Sequence, residues 1–207
     1  MNFTTPQENF WAGTFGDDYT DRNEGPRWIA SNLALFSRVL ARTHDIKSVT
    51  ELGANRGLNL IALRQLLPEA RLHAVEINAK AVEKLRQLPW LGVSHTSILD
   101  FAPAEPSDLV MIKGVLIHLN PDVLPSVYQL LATASARYVF IGEYYNPTPV
   151  SVPYRGHEER LFKRDFAGEM LRAHPHFKLI DYGFAYRGDP NFAQDDITWF
   201  LLEKQPR

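Results

Sequence analysis

The chain is 207 residues long, 45% apolar and 22% charged, with a formal net charge of −2, values that suit one domain with a full core and a modest insertion. No block of like charges marks a nucleic-acid surface, and the lack of cysteine excludes disulfides and thiol catalysis. Residues 1–8 lack the parts of a signal peptide and no apolar run approaches membrane-spanning length, so a soluble cytoplasmic protein with no membrane partner is expected. Residues 1–25 read as an irregular arm in which Phe10, Trp11, Phe15 and Tyr19 alternate with Gly13, Gly16, Asp17 and Asp18. So many aromatics are costly in a free tail. The arm is either a hydrophobic clasp or a lid over a ligand crevice, with Tyr19 and Arg22 turned inward.

From 27 to 43, Trp28, Ile29, Leu33, Phe36 and Leu40 recur at helical spacing. Residues 48–51 form a strand that enters a glycine turn and a helix carrying Leu60, Ile61, Leu63, Leu66 and Leu67, ended by Pro68. A second strand spans 71–76, and Asn78 caps a helix that runs to Leu88. A short third strand lies near 93–95, a fourth at 108–113 and a fifth at 137–142. Asn120-Pro121 starts the helix between the last two, a cap followed by proline at the first helical position. This rhythm predicts a parallel sheet with helices on both faces. Residues 143–162 break it: Pro147, Pro149 and Pro153 among tyrosines and charges read as a long loop insertion on the acceptor side. A helix at 163–174 and two closing strands at 177–185 and 197–203 complete a single domain of 207 residues.

The glycine turn is the most informative stretch. A dinucleotide fingerprint wants G-x-G-x-x-G and a P-loop wants Lys-Ser/Thr after its last glycine, and neither is present. The turn reads Glu51-x-Gly53-x-Asn55-x-Gly57, which resembles motif I of the class I S-adenosylmethionine-dependent methyltransferases. Asn55 stands where the middle glycine usually sits, and asparagine is the non-glycine residue that best tolerates left-handed backbone. Glu76 ends the second strand about 20 residues on, where an acid can accept both ribose hydroxyls of an adenosine. Asp100 either accepts an adenine amine or caps a turn, and the main chain of Ile98 and Leu99 can serve in its place.

The resemblance extends over nearly the whole chain. The segments Phe10-Trp11-Ala12-Gly13, Glu76-Ile77-Asn78, Ser97-Ile98-Leu99-Asp100 and Lys113-Gly114-Val115-Leu116-Ile117-His118 carry it. So do Glu143-Tyr144-Tyr145-Asn146-Pro147 and Asp195-Asp196-Ile197-Thr198-Trp199-Phe200. Together they resemble the methylases associated with pseudaminic acid biosynthesis. The resemblance implies a Rossmann-like class I methyltransferase fold, an α/β sheet of seven strands with an antiparallel last one. It also implies an S-adenosylmethionine donor, leaving as S-adenosylhomocysteine, held at Glu51, Gly53, Asn55, Gly57, Glu76, Ile77, Asp100 and Lys113. The implied acceptor is a small acidic sugar or sugar nucleotide, methylated on oxygen or nitrogen.

A sulfonium makes its methyl group electrophilic, so the protein must align the acceptor and remove its proton. Alignment can supply ~7–11 kcal/mol of the barrier and a positioned base ~10²–10⁴-fold. His118, just past the fourth strand, is the first candidate base, or else a structural histidine bonding a main-chain group. Glu143 is the second and His157 the third. Arg155 and Arg160 can grip a carboxylate or phosphate, or pair on the surface with Glu158 and Glu159. Tyr144, Tyr145 and Tyr154 can stack on a sugar or pack the loop. Asp195 and Asp196 invite a metal with Glu143, but no His-rich ligand spacing supports one and none is expected. A nicotinamide enzyme fails on the glycine spacing, and a macromolecule methyltransferase lacks its basic stripe. A non-catalytic donor-binding partner in surface-glycan assembly, or an enzyme for an unrelated small molecule, remains the alternative.

Overall fold

A computed structural model describes residues 3–23 and 25–206. The apolar run Leu109 to Ile112 is wholly buried in strand β4 (Ser107–Lys113), and every residue of β1 (Ser48–Leu52) is buried beside it. Strands buried on both faces need parallel neighbours covered by helices. Accordingly β2 (Arg71–Glu76), β3 (Leu91–His95) and β5 (Ser135–Glu143) run parallel with them. The last strand, β9 (Ile197–Lys204), is antiparallel between β5 and β8 (Phe177–Ala185), giving the seven-stranded order β3-β2-β1-β4-β5-β9-β8. Alternate positions of β4 serve two cores. Leu109 and Met111 pack with α3 (Pro26–Leu40) and α4 (Leu58–Leu66), whereas Val110 and Ile112 pack with α6 (Leu124–Ala134) and α7 (Phe166–Ala173).

The order reverses between β1 and β4, so their carboxyl ends splay into a crevice, the ligand position of such sheets. The turn after β1 and the turn after β4 flank it. Helix α5 (Ala79–Leu85), capped by Asn78, is shorter than its expected run to Leu88. The stretch after Asn120 opens as a 3₁₀ turn, Pro121–Val123, before α6. Among the described residues no helix is long and apolar enough to cross a membrane.

Two segments differ from the sequence-based expectation. The N-terminal arm is two helices rather than irregular chain: α1 (Pro6–Ala12) and α2 (Thr14–Arg22). Thr5 and Glu8 form a reciprocal capping box at the start of α1, satisfying two orphan donors. Gly16, which suggested a loop, is a contact residue: a Cβ there would lie 2.8 Å from Asn78 Nδ2 and against the Trp11 carbonyl. Glycine therefore lets α2 press against the base of α5. The 143–162 segment is likewise not a loop. It folds into a separate two-stranded sheet of β6 (Val150–Tyr154) and β7 (His157–Lys163). Arg155 (φ 49°) and Gly156 (φ 85°) make its turn, the left-handed pair that matches strand twist. Pro153 is exposed where the register shifts between Val152 and Tyr154, so the missing N–H costs the ladder little.

Candidate active site

Three left-handed residues, Gly53 (φ 76°), Asn55 (φ 47°) and Gly57 (φ 79°), wind the chain through the turn after β1. Gly53 is required twice over, because a Cβ there would also meet Val115 Cγ2 at 2.6 Å. The turn is locked to β2 by the Glu76 carboxylate. Its Oε2 accepts from Asn55 N at 2.6 Å, and Oε1 accepts from Ile77 N at 2.9 Å and Asn78 N at 2.8 Å. Burial raises the Glu76 carboxyl above its ordinary range, opposed by these three N–H donors. A carboxylate offers about four acceptor positions, so one remains beyond the three main-chain bonds.

The cleft beside this turn is lined by Gly53, Asn55, Glu76, Ile77, Ile98, Leu99, Lys113, Tyr19 and His118 among the expected residues. Its roof is the α1–α2 pair. Asn78 Nδ2 donates to Trp11 O at 3.2 Å and to Asp17 Oδ1 at 2.8 Å, and Thr20 Oγ1 donates to Asn55 Oδ1 at 3.1 Å. Glu8, only 5% exposed, accepts from Ser97 Oγ at 2.5 Å. Ser97 Oγ in turn accepts from Leu99 N at 3.1 Å. Glu8, Gln7, Trp28, Asn32 and Asn59 also line the cleft and were not expected there. The Thr5-x-x-Glu8 capping box was the one sequence signal that could have placed Glu8 near a helix start.

Beneath the cleft lies Glu51, fully buried, with Oε1 accepting from Asn59 Nδ2 at 2.6 Å. Among the described residues its Oε2 has no partner, and neither do Asn59 Oδ1, Gln7 Oε1 or Trp11 Nε1. Orphaned buried polar atoms are uncommon, and the last three belong to residues on the cleft wall. Burial pushes Glu51 up to about 8, against the opposing pull of Asn59 and Lys113. Burial in turn holds Lys113 below its ordinary range.

The raised carboxyls fix the sign of a pH effect. Between the ordinary carboxylate range and about 8, folded Glu51 keeps a proton that the unfolded chain releases. This contribution is complete below the unfolded value and is lost as pH rises. Glu143, raised by burial to about 7, acts in the same direction. His118, lowered to about 4, opposes them only below its ordinary 6.5. The ligand-free protein is therefore expected to melt at lower temperature at pH ~8 than at pH ~6.5, with a weaker decline in Glu51→Gln. Lys113, held low by burial, acts in the opposite direction above its folded value, so the comparison decides: a Glu51→Gln protein that declines as steeply as the wild type would show Glu51 ionised in the fold.

His118 closes a 3₁₀ turn, Leu116–His118, whose start is capped by Glu143: Oε1 accepts from Val115 N at 3.0 Å and Leu116 N at 2.9 Å. Glu143 is thus buried beneath the turn and outside the cleft lining, with its Oε2 unpartnered among the described residues. The His118 ring lies near Trp11 (4.6 Å between centroids) and Tyr154 (4.8 Å). Its Nδ1 is 2.6 Å from Arg160 O. A carbonyl only accepts, so Nδ1 carries the proton and Nε2 keeps a lone pair. Burial lowers the ring to about 4, so it is neutral at neutral pH.

Other expected residues fall outside the cleft. Asp100 is exposed and does not line the cleft, whereas Ile98 and Leu99 do. Arg22 lies over the Phe15 ring at 5.8 Å, and Gly57 abuts Leu85. Tyr145 is exposed beside Phe200. Arg155 and His157 are exposed on the β6–β7 hairpin, Arg155 over the Tyr154 ring and His157 against Phe10. Arg160 lies over the Phe10 ring at 5.3 Å with its Nε buried and unpaired. Lys163 sits over the half-buried Tyr144. Among the described residues no ion pair joins Arg155 or Arg160 to Glu158 or Glu159.

No protein-family model matches the chain, and no curated protein matches it in sequence. Solved structures do match in fold. The Burkholderia thailandensis 1,6-didemethyltoxoflavin-N1-methyltransferase, solved with 1,6-didemethyltoxoflavin and S-adenosylhomocysteine, aligns with a TM-score of 0.70 at 14% identity, covering 100% of this chain and 93% of its own. A plantazolicin methyltransferase, bound to a desmethyl analogue and S-adenosylhomocysteine, aligns with a TM-score of 0.67 at 14% identity over 97% and 95%. An S-adenosylmethionine-dependent methyltransferase from Clostridium acetobutylicum gives 0.65 at 10% identity over 93% and 98%. The fold is therefore the Rossmann-like fold of class I methyltransferases. At these identities the likeness is one of fold alone.

Proposed function

We propose that the protein is an S-adenosylmethionine-dependent methyltransferase acting on a small molecule. The observation that carries this is the Glu76 carboxylate, locked to the Asn55 amide at 2.6 Å at the mouth of the β1–β4 crevice with an acceptor position to spare. The cleft fits such a donor on several counts. Glu76 would take ribose hydroxyls, Ile77, Ile98 and Leu99 would cover the adenine, and Gly53 leaves backbone open to the methionine end. Lys113 offers a cation for a carboxylate, while Asn59 and buried Glu51 offer acceptors for an ammonium. When bound, the donor supplies a methyl group activated by a positively charged sulfur. The protein's share is to align the acceptor, exclude water under the α1–α2 roof and orient a hydrogen bond through His118.

The acceptor in this reading is a small acidic sugar or sugar nucleotide, as the resemblance to the pseudaminic-acid-associated methylases implies. The β6–β7 hairpin supports it. Tyr154 brings an aromatic face to His118, and Arg155, Arg160 and Lys163 bring cations to the same end. Native mass spectrometry and calorimetry of the folded protein test the donor, with retention of S-adenosylhomocysteine or saturable binding expected. Labelled donor with nonulosonic acids and activated amino sugars then tests transfer. Folded protein that binds neither S-adenosylmethionine nor its product would end this reading; donor binding with no transfer to any acceptor would favour a non-catalytic binding partner.

A further inference from the structure

The loop between β8 and β9 brings one more carboxylate to the edge of the cleft. Asp195 lines the cleft, yet among the described residues it forms no hydrogen bond or ion pair. Its neighbours are both fastened. Gln194, 3% exposed, donates through Nε2 to Asn32 Oδ1 on α3 at 3.0 Å, and its N–H donates to Tyr186 O at 3.3 Å. Asp196 accepts from Arg187 N at 2.9 Å and pairs with its guanidinium at 3.3 Å, in a left-handed backbone (φ 54°) that non-glycine residues rarely hold. Asp195 is itself exposed, at the open edge of the cleft, so its carboxylate is fixed in place on both sides while still reachable from solvent. Asp195 shares the cleft lining with Tyr19, Trp28 and Lys113, and its negative charge is among the lesser influences on Tyr19 and Lys113. Tyr19 and Trp28 line the same cleft, as does Gln7, whose buried Oε1 has no partner. Carboxylate, aromatic faces and unmatched acceptors together suit a cation with N–H groups to donate.

We infer that Asp195 is the specificity residue for an acceptor amine, bound as its ammonium between Asp195, Tyr19 and Trp28. This rests on the methyltransferase reading and deepens it by naming the reacting group. The ammonium loses one proton to water at the exposed rim. The nitrogen lone pair then forms the new N–C bond while the methyl's bond to sulfur breaks and its electron pair stays on sulfur. The product leaves as a methylammonium. Such a nucleophile needs no strong base, and the neutral His118 Nε2 only has to accept a remaining N–H. The acidic part of the acceptor would extend toward the cationic hairpin.

Cyclohexylammonium and cyclohexanol, matched in shape, test this on protein saturated with S-adenosylhomocysteine, by ligand-observed NMR titration. The ammonium is expected to bind roughly 3- to 5-fold more tightly, the scale of a solvent-exposed cation contact. Asp195→Asn should erase that preference without lowering the melting temperature, because Asp195 holds nothing in the fold. Asp196→Asn should keep it, which separates a local contact from diffuse charge. Equal binding of the two probes, binding of neither, or a preference that survives in Asp195→Asn would overturn the proposal. Failure of S-adenosylhomocysteine itself to bind would instead strike the methyltransferase reading, and the amine site with it.

Discussion

Replacing Glu76 with alanine is expected to weaken binding of the methyl donor by about 1.5–3 kcal/mol, the scale of hydrogen bonds to a charged group, or roughly 10- to 150-fold in affinity. The same change should lower stability, because three main-chain N–H groups, those of Asn55, Ile77 and Asn78, lose their acceptor at once. A buried donor left unsatisfied costs about 1–3 kcal/mol, although water entering the cleft would recover part of that. Glu76→Gln keeps the size but turns an N–H₂ toward donors, so it should behave nearer to alanine than to glutamate. Calorimetry with S-adenosylhomocysteine alongside thermal melts separates the two effects. A folded Glu76→Ala protein with wild-type affinity would remove Glu76 from the donor site.

His118→Ala is expected to lower turnover by ~10²-fold, what a misplaced reacting group costs. We propose that this ring orients the acceptor rather than titrating as a base. A general base is most effective with a pKa near working pH, whereas burial lowers His118 to about 4. Its Nδ1 proton is committed to Arg160 O at 2.6 Å, which leaves a fixed acceptor for orienting the nucleophile. The wild-type rate should therefore show no acid limb near the ordinary histidine value of ~6.5. A limb there, lost in His118→Ala, would restore the ring as a titrating base. Near-normal turnover in His118→Ala with the true acceptor would remove it from the reaction.

The sheet was legible because its strands are short apolar runs at even spacing, and the crevice because Gly53, Asn55 and Gly57 can serve only a tight turn there. The roof was not, since Gly13 and Gly16 read as loop residues. Only the folded chain shows that Gly16 is small so that α2 can press on Asn78. The hairpin was hidden by its prolines, although Arg155-Gly156 is a two-residue turn of the kind that joins strands. Glu143 illustrates a deeper limit. Its Oε1 accepts from Val115 N and Leu116 N, and no local pattern announces a cap supplied from the next strand. The arginines show the converse: their type fits anion binding, but only the fold shows Arg155 at the hairpin tip and Arg160 over the Phe10 ring.

The hairpin holds His118 through the main-chain oxygen of Arg160 and not through a side chain. Every amino acid has that oxygen, so substitutions along β7 leave the imidazole tautomer as it is. What would disturb it is a slip of β7 against β6, which the Tyr154–His157 pairing and the Arg155-Gly156 turn oppose. If the proposed acceptor site is right, selection can rewrite the hairpin's side chains, and with them the range of molecules admitted, while the His118 ring keeps its proton on the same nitrogen. Descendants of such a chain could diverge in diet without relearning the reaction.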